Sequence, residues 1–245
     1  KIAGPGGGWF QAPVRSGNGG LDRWNIERAV EDSLRRLDTD YIDLYQTHWP
    51  DPGLPIEETL RALDRIVETG KVRYVGCSNQ GAHGLMRSLW MSDRHQCVRY
   101  ETIQNNYSLL SRRFDDELAS VCRAEQISLL PYSPLAGGVL SGKYQAGAFP
   151  QGARFSAYRH DPKRGASMTR RFVNERSLAA TERFMAIAEA ADIPVVTLAI
   201  AWTLSRDFVA STILGATHPE QLGESLAAAG RILPADVLAK IDEVS

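Results

Sequence analysis

Asp43-Leu44-Tyr45-Gln46-Thr47-His48-Trp49-Pro50 is the stretch that decides the fold. Residues 41–47 read as a buried strand. Proline cannot donate to a sheet ladder, so the strand stops before Pro50. His48 is left at a strand's carboxyl end, where parallel α/β sheets carry their chemistry. A histidine there serves as acid, base or proton relay, or else simply caps the strand.

Outward from this strand, strand-like and helix-like segments alternate. Ile26, Ala29, Val30, Leu34 and Leu37 share one face of a helix over residues 23–37. Ile56, Leu60, Leu63, Ile66 and Val67 mark a second helix, ended by Gly70. Strands are expected at Val72 to Cys77, Glu101 to Gln104, Ile127 to Tyr132 and Val209 to Leu214, with a stub at Lys1 to Ala3. Helices are expected over 80–92, around Phe114, Leu118, Val121 and Cys122, over 177–191 and over 195–205. Pro219 and Pro234 suit the first turns of two last helices. Residues 141–175 read as a polar loop carrying Arg154, Arg159, Lys163, Arg164, Arg170 and Arg171. Gly4-Pro5-Gly6-Gly7-Gly8 leads into a long polar stretch rather than a helix, so it reads as a flexible loop and not as a phosphate cradle.

Alternation of this kind implies parallel pairing through crossovers. Five full strands are too few for a complete (β/α)₈ barrel, and the pattern leaves an incomplete barrel and an open doubly wound sheet both standing. No linker divides the 245 residues, which read as one domain. A net charge of -1 gives no reason to expect nucleic acid or an anionic membrane as partner. No apolar run is long enough to span a bilayer, and Lys1-Ile2-Ala3-Gly4 has no signal-peptide anatomy. Cys77, Cys97 and Cys122 lack metal-ligand spacing, so no metal is expected and a reduced, cytoplasmic setting fits.

Polar residues follow strand after strand: His48, then Ser78 and Asn79, then Gln104, then Tyr132 and Ser133, then Gly215, Ala216 and Thr217. Their recurrence suggests one shared face. Amides and hydroxyls suit a neutral carboxamide such as nicotinamide, and Tyr132 could stack on its ring.

The quoted stretch, with Gly70-Lys71-Val72-Arg73-Tyr74-Val75-Gly76-Cys77-Ser78-Asn79, Ile103-Gln104-Asn105-Asn106-Tyr107-Ser108-Leu109-Leu110, Pro131-Tyr132-Ser133-Pro134-Leu135 and Ile213-Leu214-Gly215-Ala216-Thr217, resembles the aldo-keto reductases. Ser141-Gly142-Lys143-Tyr144 resembles the bacterial and potassium-channel β-subunit branch. The resemblance covers essentially this whole chain and roughly three quarters of a family member. It implies a (β/α)₈ barrel, here without about its first two βα units, NADPH as cofactor, and reversible reduction of an aldehyde or ketone.

Residue by residue, Lys1 matches the family's catalytic lysine and His48 its catalytic histidine. The tyrosine and aspartate of the catalytic set have no counterpart in these residues, so little or no reductase activity is expected of them alone. With open sheet edges such a chain should aggregate, associate through those edges or close imperfectly, a homo-oligomer being one of these outcomes. Ser78, Asn79 and Gln104 match carboxamide contacts, and Tyr132 the stacking aromatic. Ser133, Pro134, Leu135, Gly137, Ser141 and Lys143 match the segment that wraps the pyrophosphate. Gly215, Thr217, Gln221 and Glu224 match the adenosine end, where the start of a helix would offer backbone N–H groups. Ser225 stands where the family usually has asparagine. Lys143 and Arg154 match basic residues near phosphate, which favours NADPH over NADH. A nucleotide-binding regulatory module without turnover, or a non-functional fragment, are the competing readings.

Overall fold

The computed structural model describes residues 1–2, 20–161 and 165–244. The Gly4 to Gly8 segment, Ala3, Lys163 and Arg164 lie outside the described residues. The chain divides into two compact units, residues 1–105 with 117–129, and residues 106–116 with 130–245.

The first unit opens with helix α1, Arg23–Leu37. Asp22 caps it by accepting from the Asn25 N–H, a contact worth about 1 kcal/mol. Ile26, Val30 and Leu34 are its buried face. Strand β1, Ile42–Gln46, leads to helix α2, Ile56–Glu68, which buries Leu60, Ala62, Leu63 and Ile66. Each of the leucine and isoleucine side chains contributes roughly 1.5–3 kcal/mol on burial. Helix α2 stops because Gly70 takes φ +74, a left-handed turn that glycine adopts without Cβ conflict. Strand β2 (Val72–Ser78), helix α3 (Ala82–His95), strand β3 (Tyr100–Gln104), helix α4 (Leu118–Glu125) and strand β4 (Ser128–Leu129) complete the unit.

The four strands pair in parallel in sequence order, β1-β2-β3-β4. Ile2 adds a parallel bridge to Thr47, with Ile2 N–H donating to Gln46 C=O and His48 N–H to Ile2 C=O, both at 2.9 Å. That pairing puts residues 1 and 2 beside the carboxyl end of β1. The helix expected over 80–92 starts at Ala82 and runs on to His95, and Phe114 lies outside α4 in a turn.

Three expectations are corrected. The strand expected over 127–132 is only Ser128–Leu129 in this unit, because Pro131 has no N–H for a ladder. In the second unit Tyr132 keeps a single parallel bridge, to Asn106. The segment 209–214 forms no strand; Ile213 N–H donates to Pro131 C=O at 2.9 Å, but one bond is not a ladder. Residues 141–175 are not a loop: they carry helices α5 (Arg154–Tyr158) and α6 (Gly165–Phe172) and the short 3₁₀ turn Gln145–Gly147. The polar composition hid their aromatic anchors. Phe155 is buried with its ring 5.4 Å from that of Phe172 and 5.5 Å from that of Tyr144.

The second unit continues with helices α7 (Glu175–Ala190), α8 (Val195–Leu204), α9 (Leu222–Leu226) and α10 (Ala235–Val244). Residues 196–203 of α8 are all buried, so this helix is apolar on every side and forms the unit's core. Pro219 opens a 3₁₀ turn, Pro219–Gln221, ahead of α9, and Pro234 precedes α10. No single helix among the described residues is long and apolar enough to cross a membrane.

Candidate active site

In the first unit the polar strand ends meet. Ser78 closes β2 and is fully buried. Its Oγ donates to Gln104 C=O at 2.6 Å and accepts from Lys1 Nζ at 3.2 Å and from Asn79 Nδ2 at 3.1 Å. Asn79 Nδ2 also reaches His48 C=O at 2.8 Å, and Asn79 N–H donates to Gln104 C=O at 3.2 Å. Asn79 holds φ +58, a left-handed conformation that asparagine tolerates better than most residues. Lys1, His48, Ser78, Asn79 and Gln104 therefore form one connected group at the carboxyl ends of β1, β2 and β3.

Electrostatics in this group favour neutral forms. Lys1 is exposed as a residue, yet its ammonium is partly withdrawn from water. That desolvation lowers its pKa to about 8, against an opposing pull from Cys77. Burial, then the Lys1 charge, lowers His48 below its ordinary value. Burial pushes the Cys77 thiol up, so it stays protonated and unreactive.

The second unit holds a cavity of about 480 Å³. Ser133, Pro134, Leu135, Gly137, Ser141, Lys143, Arg154, Gly215, Thr217, Gln221, Glu224 and Ser225 all line it. These twelve residues come from two stretches far apart in sequence. Tyr132 is outside that lining and half-buried, and burial raises its pKa. The backbone turns tightly here: Ser133, Ala136, Gly137 and Gly138 all have positive φ. A Cβ on Gly137 would stand 2.7 Å from the Phe155 ring, and one on Gly138 2.8 Å from Lys143 Nζ. Ser141 Oγ donates to Gly138 C=O at 2.8 Å, which ties the turn together.

Lys143 and Arg154 make no salt bridge among the described residues, and burial followed by the Arg154 charge lowers the Lys143 pKa. Gln221 Oε1 accepts from Thr217 N–H at 3.0 Å and from its hydroxyl at 3.3 Å, so Gln221 braces the 217–221 turn. Ser225 Oγ donates to Gln221 C=O at 3.3 Å, and Glu224 C=O accepts from Thr197 Oγ1 at 2.7 Å. Among the described residues no cluster suited to a metal ion occurs.

A family model, the Aldo/keto reductase family, matches residues 12–245. This chain belongs to the aldo/keto reductase family. Membership supports an oxidoreductase acting on carbonyl groups. Protein tas of Escherichia coli is 40% identical over 241 aligned residues, which cover 91% of this chain and 67% of the relative. A probable voltage-gated potassium channel subunit beta of Arabidopsis thaliana is 34% identical over 228 residues, 92% of this chain and 68% of the relative. A putative aryl-alcohol dehydrogenase of Schizosaccharomyces pombe is 32% identical over 221 residues, 90% of this chain and 59% of the relative.

Sequence reasoning passed over Gly138, Val196 and Glu220, which also line the cavity. Gly138 had a signal, since it doubles Gly137 in a segment with basic residues close behind. Glu220 lies one turn before Glu224, a spacing that puts both on one face. Val196 had none, because an apolar residue at a helix start reads as core.

Proposed function

We propose that the chain binds NADPH and serves NADPH-dependent reduction of aldehydes or ketones to alcohols. The observation that carries this reading is the pair of cations lining the second unit's cavity, Lys143 and Arg154, each without a carboxylate partner among the described residues. Two such cations favour an anion, and a phosphate oxygen accepts from both an ammonium and a guanidinium.

The surrounding groups fit a dinucleotide. Gly137 and Gly138 lack the side chains that would crowd the lining, and the Ser133 and Ser141 hydroxyls lie on the same wall. A volume of about 480 Å³ suits a bound small molecule, and Val196, Leu135 and Ile213 give it apolar surface. In the first unit, the Asn79 amide and the Gln104 carbonyl meet at Ser78, and groups of this kind suit a carboxamide. NADPH, when bound, supplies the hydride. His48 and Lys1 are the chain's own groups for orienting the carbonyl oxygen and handling the proton. Four parallel strands in sequence order support the (β/α)₈ barrel reading of the fold.

These residues match two of the family's four catalytic positions, so we propose that their own turnover is slow and that binding is the primary readout. Fluorescence titration with NADPH and NADH tests the reading. Saturable NADPH binding, tighter than NADH, is the expected result; no NADPH binding would overturn it. A second reading, a nucleotide-binding regulatory module, is favoured by the relatives named as potassium-channel β subunits. Slow NADPH oxidation on adding an aldehyde is expected of the first reading, whereas a regulatory module binds without any.

A further inference from the structure

We propose that Met185 is a modification site, where a peroxide converts the thioether to the sulfoxide and thereby loosens the 141–145 wall of the second unit's cavity. The effect on cofactor affinity rests on the NADPH reading of that cavity; the loosening itself does not.

Met185 stands on α7 with its thioether against Gly142. A Cβ built on Gly142 would be 2.7 Å from Met185 Sδ and 3.0 Å from its Cε, so the sulfur and its methyl already fill the side-chain space of residue 142. Gly142 has φ +78 and ends the 3₁₀ turn Ala136–Ser141, a conformation glycine takes without Cβ conflict. Its N–H donates to Val139 C=O and its C=O accepts from Gln145 N–H, both at 3.0 Å. Ser141 and Lys143 flank it, and both line the cavity. Gln145 Nε2 donates to Leu178 C=O at 2.9 Å. Leu178 and Met185 are seven residues apart on α7, so they share one face. The segment is therefore fastened to α7 at a polar point through Gln145 and at an apolar point through Met185.

Oxidation changes the apolar point. Met185 is 37% exposed, so a small peroxide reaches it, whereas Met91 is buried. A sulfur lone pair attacks one peroxide oxygen and the O–O bond breaks. The sulfide is oxidised to the sulfoxide, and the other oxygen leaves as hydroxide and carries off the remaining proton as water. The product is polar where the thioether was apolar. The Gly142 N–H is already given to Val139 C=O, so it can meet the new oxygen only by breaking that bond. The oxygen turns to water instead and draws the side chain off Gly142. Lys143, the next residue, moves with the turn.

The test uses the full chain and limited hydrogen peroxide. Peptide mass spectrometry reports which of Met86, Met91, Met168 and Met185 gain an oxygen. Amide hydrogen exchange at Gly142 and Gln145, and fluorescence titration with NADPH, read the consequences. Oxidised wild type should exchange faster at both amides and bind NADPH about tenfold more weakly, the scale of a lost hydrogen bond to a charged group. Methionine sulfoxide reductase should restore both, whereas a thiol reductant alone, which reverses disulfides and sulfenic acids, should not. Met185→Leu, a volume-conserving swap, should ignore peroxide in both measurements. Met86→Leu removes an equally accessible thioether in the first unit and should respond as wild type does. Met185→Gln puts a polar amide where the sulfoxide would be and should show both changes without peroxide, which keeps the test open if Met185→Leu does not fold. An unoxidised Met185 beside a fully oxidised Met86 would overturn the inference. So would an oxidised Met185 with unchanged exchange or unchanged NADPH affinity, or a Met185→Leu protein that loses affinity on treatment. Failure of the untreated wild type to bind NADPH sinks the cofactor reading alone, and the exchange rates then decide this one.

Discussion

Lys143 lies against Gly138 so closely that a single added methyl would displace it. A Cβ on Gly138 would stand 2.7 Å from Lys143 Cε and 2.8 Å from its Nζ. The glycine also holds φ +98, outside the range that residues with a side chain readily adopt. Gly138→Ala should therefore act twice. Backbone strain should cost about 1–3 kcal/mol of stability, read from urea unfolding. The flexible end of Lys143 should swing aside, weakening NADPH binding. Unchanged stability and affinity would show that neither the strain nor the contact matters.

Removing the lysine charge directly should cost more affinity than stability. Hydrogen bonds to charged groups are worth roughly 1.5–3 kcal/mol, so Lys143→Met should weaken NADPH about 10- to 100-fold. Its pKa is lowered by burial and then by Arg154, so the substitution also removes a repulsion, and the thermal midpoint should hold or rise. Arg154→Met should lower affinity likewise, and rising salt should weaken wild-type binding by screening. Equal NADPH affinity in wild type and both variants would remove the phosphate from this cavity.

His48 should make the chain acid-sensitive. Burial and the Lys1 charge hold its folded pKa below the ordinary value, so the unfolded chain takes up a proton more readily. The unfolded state then binds more protons below ~6.5, and stability rises with pH across that window. The contribution is fully present above ~6.5 and is lost as pH falls through the folded pKa. Urea unfolding of wild type and His48→Gln at pH 5 and pH 7.5 checks the sign. The wild type should lose more stability on acidification than the variant; equal losses would refute it.

Trp202 should be the costliest side chain to truncate in the second unit. It is fully buried, its ring 5.0 Å from that of Tyr107, with the Arg206 and Arg112 guanidinium groups 4.7 Å and 5.1 Å from its centre. Tyr107 is held in turn by its hydroxyl donating to Asp115 at 2.8 Å. Trp202→Ala should cost about 3–5 kcal/mol, measured by urea unfolding. A loss under about 1 kcal/mol would mean that the cluster repacks around the gap.

Local chemistry was legible because its causes lie within a few residues. Apolar spacing marked α1 and α2, Gly70 marked a helix end, and Trp49-Pro50 marked where a strand must stop. The motifs from Asp43 to Thr217 named the family before any contact was known. Seven of the twelve predicted residues that line one cavity lie inside those motifs, and the other five came from the family resemblance residue by residue.

What the sequence could not decide depended on partners distant in the chain. Val209 to Leu214 has the composition of a strand, but a strand exists only where a neighbour offers a ladder, and Ile213 finds one carbonyl at Pro131. Residues 141–175 are polar on average, yet Tyr144, Phe155 and Phe172 gather and fold them into helices. Ser78 read as a free hydroxyl at the end of a strand. Only the tertiary structure brought Lys1, Asn79 and Gln104 to it together, saturating its one proton and two lone pairs. Composition and periodicity act along the chain, whereas ladder bonds, burial and the filling of a hydroxyl's valences are settled by what arrives from elsewhere.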